Sequence, residues 1–430
     1  MIPDPSTKRS LNIGFVSTRF ADTDGVSLET AKWAEVLEGM GHTCFYFSGF
    51  SDRPEERSMV VPEAFYRHPE VKARHDKFFA GSTRTQEDTL WIHQWRENFR
   101  HHLYRFLDQF QIDVLISENV LAIPLNIPLG LALTEVVAET RLPTIAHHHD
   151  FAWERKRFLI NGIQDYINMA FPPDLPSITH VVINSQANHQ LARRRGVGSS
   201  IIPNVMNYDE PAPMIDDFSA DLRQYLGIAS DELFILQPTR VIQRKGIEHA
   251  IELVQRLGRP AKLVISHASG DEGDEYEQRI RDYAHMLGVE TIFCSEIFDD
   301  ERSQSAEGEK IYNLWDAYNH ADLVTYPSVF EGFGNAFLEA VYFRKPIVVN
   351  NYSIYSTDIR PKGFRVIEFD EFITADTVNK VSQVLDNPDV RGEMVERNYE
   401  LALHYYSYTM LHHKLQSRLS ELFGTNGDVF

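Results

Sequence analysis

Ser328-Val329-Phe330-Glu331-Gly332-Phe333-Gly334-Asn335-Ala336-Phe337-Leu338-Glu339-Ala340 follows directly on the apolar run Leu323–Tyr326. The run reads as a buried strand, the glycines as a turn and the segment from Asn335 as a helix, so strand, loop and helix are contiguous. Gly332 and Gly334 permit positive φ and close backbone approach. The amides that open the following helix form an anion site strengthened by the helix dipole, and a diphosphate suits it. Glu331 lies in the loop, and Glu339 lies about five residues past Gly334, roughly 7.5 Å along a helix rising ~1.5 Å per residue. That separation lets one carboxylate reach hydroxyls on each side of a diphosphate. Taken alone, the segment reads equally well as a glycine turn with one surface glutamate and one charge at a helix N-terminus.

Short β-rich runs alternate with longer helical patterns in both directions from this stretch, the rhythm of βαβ units around a parallel sheet. Upstream, Leu11–Ser17 reads as a strand, Ser27–Met40 as a helix stopped by Gly41, and Thr43–Phe47 as the next strand. Further strands are expected at Ile112–Ser117, Pro143–His147 and Ile178–Ile183, with helices at Leu90–Gln109, Pro128–Glu139, Trp153–Met169 and Gln186–Arg194. Asp52–Thr89 is polar and rich in Arg, Glu and Pro, and reads as an irregular insertion with mobile parts. Asn207–Ser219, with three Asp, one Glu and two Pro, has the composition of a solvated linker. The alternation restarts with strands Leu233–Gln237, Ala261–Ser266, Thr291–Phe293, Ala321–Tyr326 and Pro346–Asn350. Between them fall helices Gly246–Leu257, Glu275–Leu287, Tyr312–Tyr318 and Asn335–Phe343, and Ala375–Leu385, Val390–Leu403 and Ser407–Leu422 close the chain. The expected fold class is α/β, with two doubly wound, Rossmann-like domains at 1–205 and 206–405 and a C-terminal helix at 406–430. Open parallel sheets bind ligands outside the carboxyl ends of their strands, so function is expected in a cleft between the halves.

At 430 residues the chain is long enough for two domains of about 100–200 residues. With 43% hydrophobic and 24% charged residues it is too apolar to be disordered. Asp and Glu outnumber Lys and Arg by 62 to 42, and the net charge of −20 repels nucleic acid and an anionic membrane face. An anionic small ligand therefore needs a local cluster of donors. Cys44 and Cys294 form neither a disulfide framework nor a zinc-finger spacing. The polar stretch Met1 to Asn12 lacks the apolar core of a secretory signal, so a cytoplasmic location is expected. Val120–Leu133, broken by Pro124, Asn126 and Pro128, is shorter than the ~20 residues a membrane span needs.

Four further clusters bear on chemistry. Arg240, Arg244, Lys245 and Gly246 sit in the turn after Leu233–Gln237, where a guanidinium and an ammonium can neutralise charge on a departing diphosphate. Taken alone, such a basic turn is more often a solvated loop. His147-His148-His149-Asp150 follows the strand from Pro143. Three consecutive side chains point in different directions and cannot all ligate one metal, so no metal site is expected; at least one His should face the cleft to bond a hydroxyl or phosphate. In Phe20–Leu28, Asp24-Gly25 lets backbone amides approach a phosphate or sugar, and Ser27 reads as an N-cap. Glu118-Asn119 and Asn126 are candidates for acceptor hydroxyls, or merely satisfy turn amides. Neither GxGxxG after the first strand, nor GxxxxGK[ST], nor GxSxG is present, which disfavours a dinucleotide oxidoreductase, a P-loop enzyme and an α/β-hydrolase.

Arg240, Lys245-Gly246 and the Glu331-Gly-Phe-Gly…Glu339 pair, preceded by a glycine turn, a mid-domain His and Ile202-Pro203-Asn204, resemble in their order the retaining family-4 glycosyltransferases of the GT-B fold. The resemblance covers nearly the whole chain. It implies a first domain that binds the acceptor, a second that binds a nucleotide-diphosphate sugar, UDP- or GDP-linked, as co-substrate, and a last helix that returns to the first domain. It implies that Arg240 and Lys245 hold the diphosphate, Glu339 the ribose hydroxyls and Glu331 the transferred sugar, while the backbones of Gly25, Gly334 and Asn335 meet phosphate or sugar. His149 takes the place of the active-site His, ahead of His147. Asp24 and Val205 stand where many relatives carry glycine. The family needs no divalent metal or other cofactor, and Asp299-Asp300 reads as a solvated turn. The expected activity is retaining transfer of a hexose, glucose or mannose, to a small polyol, sugar or glycerate-type acceptor, without nucleic acid and away from the membrane. A GT-B epimerase or phosphorylase, or a non-catalytic sugar-nucleotide-binding scaffold, fits the same motifs.

Overall fold

The structure, a computed structural model, describes residues 10–21, 25–269, 275–299, 301–306 and 308–423. The chain divides into two compact units, residues 1–203 with 409–430, and residues 204–408.

In the first unit, seven strands form a parallel sheet: β1 (Asn12–Val16), β2 (Thr43–Ser48), β3 (Ser58–Val60), β4 (Val114–Glu118), β5 (Thr144–His148), β6 (Ile178–Val182) and β7 (Ser199–Ile201). Their order is β3-β2-β1-β4-β5-β6-β7, so the winding reverses between β1 and β4. That is where a doubly wound sheet opens a crevice at its carboxyl edge. The helices are α1 (Gly25–Gly39), α2 (Pro69–Phe79), α3 (Gln86–Phe110), α4 (Ile127–Thr140), α5 (Gln164–Ala170) and α6 (Ser185–Arg195). Phe99, Leu103 and Phe106 of α3 and Leu129, Leu133 and Val136 of α4 pack with Val16 and Leu115 of the sheet, each fully buried apolar side chain contributing ~1.5–3 kcal/mol. The last helix, Tyr408–Phe423, ties into this unit through Lys414 Nζ to the Ile201 carbonyl (2.8 Å) and Arg418 Nη1 to Ser200 Oγ (2.9 Å).

The second unit repeats the plan with strands β8 (Leu233–Gln237), β9 (Ala261–Ile265) and β10 (Thr291–Phe293), a small sheet of β11 (Phe298–Asp299), β12 (Ser303–Gln304) and β13 (Lys310–Asn313), then β14 (Leu323–Tyr326), β15 (Ile347–Asn350) and β16 (Ile367–Phe369). Its main sheet runs β10-β9-β8-β14-β15-β16, all parallel, and reverses between β8 and β14. The helices are α7 (Leu222–Tyr225), α8 (Ile247–Leu257), α9 (Glu275–Leu287), α10 (Leu314–His320), α11 (Asn335–Tyr342), α12 (Ala375–Asp386) and α13 (Pro388–Tyr406). The linker-like segment after Met206 carries Tyr208, which is buried in this unit and donates to the Leu338 carbonyl (2.6 Å).

Five expectations change. The stretch Asp52–Thr89 is not irregular: it holds β3 and α2, whose Arg74 and Lys77 reach Asp88 (2.5 and 2.8 Å) and whose Glu70 accepts from Trp91 (2.5 Å). Its charges find partners in space that composition conceals. Trp153–Met169 is not one helix, because Asn161 bonds the Phe158 carbonyl and the Ile163 amide (3.1 Å each) and turns the chain before α5. Tyr312–Tyr318 splits into β13 and α10 at Asn313, whose side chain caps Asp316 N (3.0 Å). Ser27 lies within α1, which opens at Gly25; Asp24 and Asp300 lie outside the described residues. Asn126 caps α4 at Leu129 N (3.2 Å) and donates to the Glu63 and Ala64 carbonyls (3.0 and 3.2 Å), so its amide is spent on the fold and does not serve an acceptor. Replacing Asn126 by Ala removes the cap and strands two carbonyls, and should cost on the order of 1–3 kcal/mol. Thermal unfolding should show a Tm fall of about 2–4 °C per kcal/mol; an unshifted Tm would return Asn126 to the list of free groups.

Candidate active site

In the second unit the residues expected from the sequence to bind the donor gather at the carboxyl edge, on the turns after β8 and β14, the two strands at the reversal of the sheet. Val329 N donates to the Arg244 carbonyl (2.9 Å), and Arg244 Nη1 to the Phe330 carbonyl (3.2 Å), stitching the turns together. Gly246 has φ +60, and a Cβ there would stand 2.6 Å from the Pro327 carbonyl oxygen, so only glycine allows this approach. Lys245 is buried, and its ammonium pairs with Glu331, which also accepts from Arg244 Nη1 (3.2 Å). Burial alone would push the Glu331 carboxyl up, but Lys245 and Arg244 outweigh it and hold it below the usual carboxylate range. Burial also drives the Lys245 ammonium below the usual lysine range despite Glu331.

Arg240, by contrast, is exposed and makes no side-chain hydrogen bond or ion pair among the described residues. Gly334 has φ +130 and opens α11; a Cβ would meet the Tyr352 hydroxyl at 2.7 Å. Asn335 accepts from Asn204 (2.7 Å), and Glu339 accepts from the Tyr318 hydroxyl (2.8 Å). His267, in the turn after β9, was not singled out by any motif. The Ala268 carbonyl accepts from Val241 N (3.2 Å), which ties this turn to the basic one. Burial, then the Lys245 and Arg240 charges, push the His267 ring down to about 4, so it stands neutral beside the cations.

In the first unit, β4 and β5 end side by side, with Glu118 opposite His147 in register. Side chains alternate along a strand, so His147 and His149 share one side and His148 points to the other, where it meets His180 (2.9 Å). Glu118 Oε2 lies 3.0 Å from His147 Nδ1 and 3.1 Å from His149 Nε2. One donor atom from each of the three groups lies within 4.8 Å of the others. Both nitrogens that face the centre lie within hydrogen-bond range of Glu118. Glu118 is therefore occupied internally and is not free for an acceptor hydroxyl. Asn119, with φ 62, accepts from His149 N (3.0 Å) and donates to Asp150 (2.8 Å). Gly25, the first residue of α1, stands exposed at the helix N-terminus.

The family of group 1 glycosyl transferases matches residues 218–401, which include both turns of the second unit. Over 381 residues the chain is 33% identical to the mannosylglucosylglycerate synthase of Petrotoga mobilis, spanning 83% of this chain and 86% of that one. This chain belongs to the group 1 glycosyltransferases. A second such synthase, from Thermotoga maritima, is 30% identical over 93% of this glycosyltransferase and 98% of its own length. The crystal structure of a glycosyltransferase from Rickettsia africae superposes with a TM-score of 0.70 at 14% identity, covering 97% of this chain and 100% of that one, and identifies the fold as GT-B. No described helix is long and apolar enough to cross a membrane. If this turn holds the nucleotide of a sugar donor, Gly334→Ala, which displaces the turn that opens α11, should weaken nucleotide binding about tenfold or more, a loss of ~1.4 kcal/mol, readable by calorimetric titration. Unchanged affinity would detach this turn from the ligand.

Proposed function

We propose that this glycosyltransferase moves a hexose, mannose by the names of its synthase relatives, from a nucleoside-diphosphate sugar to a glycerate-type acceptor such as a glucosylglycerate, with the anomeric configuration retained. The observation that carries this reading is the basic turn after β8 locked onto the glutamate–glycine turn after β14. Arg240 and Lys245 hold the diphosphate, the backbone amides of Gly334 and Asn335 meet phosphate or sugar, Glu339 takes the ribose hydroxyls and Glu331 the transferred sugar. His149 and the Gly25 amide serve the reaction from the first unit.

In a front-face displacement the bond from the anomeric carbon to the phosphate oxygen breaks. The acceptor oxygen bonds to the same face, and its proton passes to the departing phosphate. Charge builds on the diphosphate, where two cationic side chains stabilise it without a divalent metal. Arg240 suits this task because its guanidinium is committed to no described side chain. The buried, unpaired Cys44 and Cys294 accord with a reducing, cytoplasmic setting.

Purified protein assayed with UDP- and GDP-sugars against glycerate, glucosylglycerate and simple polyols, with products read by mass, should yield a glycosylated glycerate and free nucleotide. Nucleotide binding without turnover of any donor would reduce the chain to a binding protein. Arg240→Ala removes no internal bond and should cost about 2–4 kcal/mol in kcat/KM, roughly 30- to 1,000-fold. Wild-type-like turnover would dismiss that role. Glu339→Ala should weaken the nucleotide itself, and Glu331→Ala chiefly the transfer step. EDTA should leave the rate unchanged, and a strict metal requirement would contradict the proposed electrostatics.

A further inference from the structure

Glu118 is fully enclosed, yet it accepts hydrogen bonds from two imidazoles on the neighbouring strand end. One buried anion balances one cation, so only one of the two rings carries a proton in excess. Geometry decides which. His147 is enclosed, its ring stacked on Trp33 at a centroid distance of 4.1 Å, and its Nε2 has no hydrogen-bond partner. Protonated, it would bury an unsatisfied N–H beside an indole face. His149 keeps 9% of its side chain exposed, and only its Nε2 is engaged by Glu118.

We propose that Glu118 is the positioning residue of His149: it holds Nε2 inward, leaves Nδ1 as the nitrogen offered to the substrate, and keeps the ring an imidazolium. An imidazolium donates a charge-assisted hydrogen bond to a phosphoryl oxygen or sugar hydroxyl, and it has no lone pair with which to act as a base. This assigns His149 the part of a cationic donor and leaves the acceptor proton to the departing phosphate. The inference rests on the proposed function only for the identity of the substrate.

The surrounding charges agree. Glu29 of α1, paired with Lys32 (3.2 Å), and Asp150, held by Asn119 and Arg155, add negative potential at His149. Burial pulls both rings down, but the bond to Glu118 outweighs it at His149 and not at His147. Burial would push the Glu118 carboxyl up, and its hydrogen bonds to the two rings help to hold it low. Asn119 fixes only the His149 backbone, so the ring orientation depends on Glu118.

The test is nitrogen-15 histidine spectroscopy on the full chain, with the His149 signals assigned by His149→Gln. In the wild-type protein both His149 nitrogens should remain protonated above the pH at which an ordinary imidazole gives up its proton. Glu118→Gln, nearly isosteric, should lower that titration by about one unit or more. It should also move the alkaline fall of kcat to lower pH and reduce kcat about tenfold or more while nucleotide affinity stays unchanged. The wild-type spectrum decides even if the variant fails to fold: a His149 already neutral at about pH 6 overturns the inference. So does a Glu118→Gln protein with an unchanged titration, or a metal ion recovered in stoichiometric amount from wild type and lost from the variant. A protonated His149 in a protein that turns over no nucleotide sugar refutes the proposed function and leaves the charge assignment standing.

Discussion

An ammonium enclosed by protein must meet a carboxylate or give up its proton, and Lys245 meets Glu331. The two residues stand on turns that leave adjacent strands, β8 and β14, so the ion pair fixes the spacing of the loops at the reversal of the second sheet. Arg244 repeats the link from its side chain and its carbonyl, and Gly246 tolerates the approach of Pro327. The amides at the start of α11 inherit their position from this arrangement. Removing either member would leave its partner buried and unmatched, so the geometry of the turns and their charge are one constraint.

The first unit solves a related problem differently. Glu118 is fully buried, and two neutral-capable rings share it instead of one permanent cation. The result is a charge that protonation can adjust, where the Lys245–Glu331 pair carries a fixed one. Both carboxylates are held below their ordinary range although burial pushes each the other way.

The net charge of −20 gives these local arrangements their significance. For the diphosphate donor proposed above, the long-range field of the chain is repulsive, so attraction would have to come from cations at short range. Arg240 is uncommitted, and Lys245 and Arg244 are poised against Glu331, which concentrates positive charge at one edge of one sheet.

Continuous apolar runs bounded by glycine and polar turns made the central strands readable from the chain itself, because a strand covered on both faces needs apolar side chains at every position. The order of the glycine loop, the basic turn and the two glutamates was equally legible, and with it the family. Elements whose stability lies in partners distant in the sequence were not: α2 depends on Asp88 and Trp91, and α10 starts at Asn313 because β13 ends there. Asn126 looked like a binding group until its carbonyl partners near Glu63 came into reach. Alternation along the His-His-His run parted His148 from its neighbours, but it did not show that the His147 and His149 rings would converge on one carboxylate. That Glu118 would sit opposite His147 and bridge to His149 was set by the pairing of β4 with β5, a relation in space between residues 29 and 31 positions apart that no local pattern encodes.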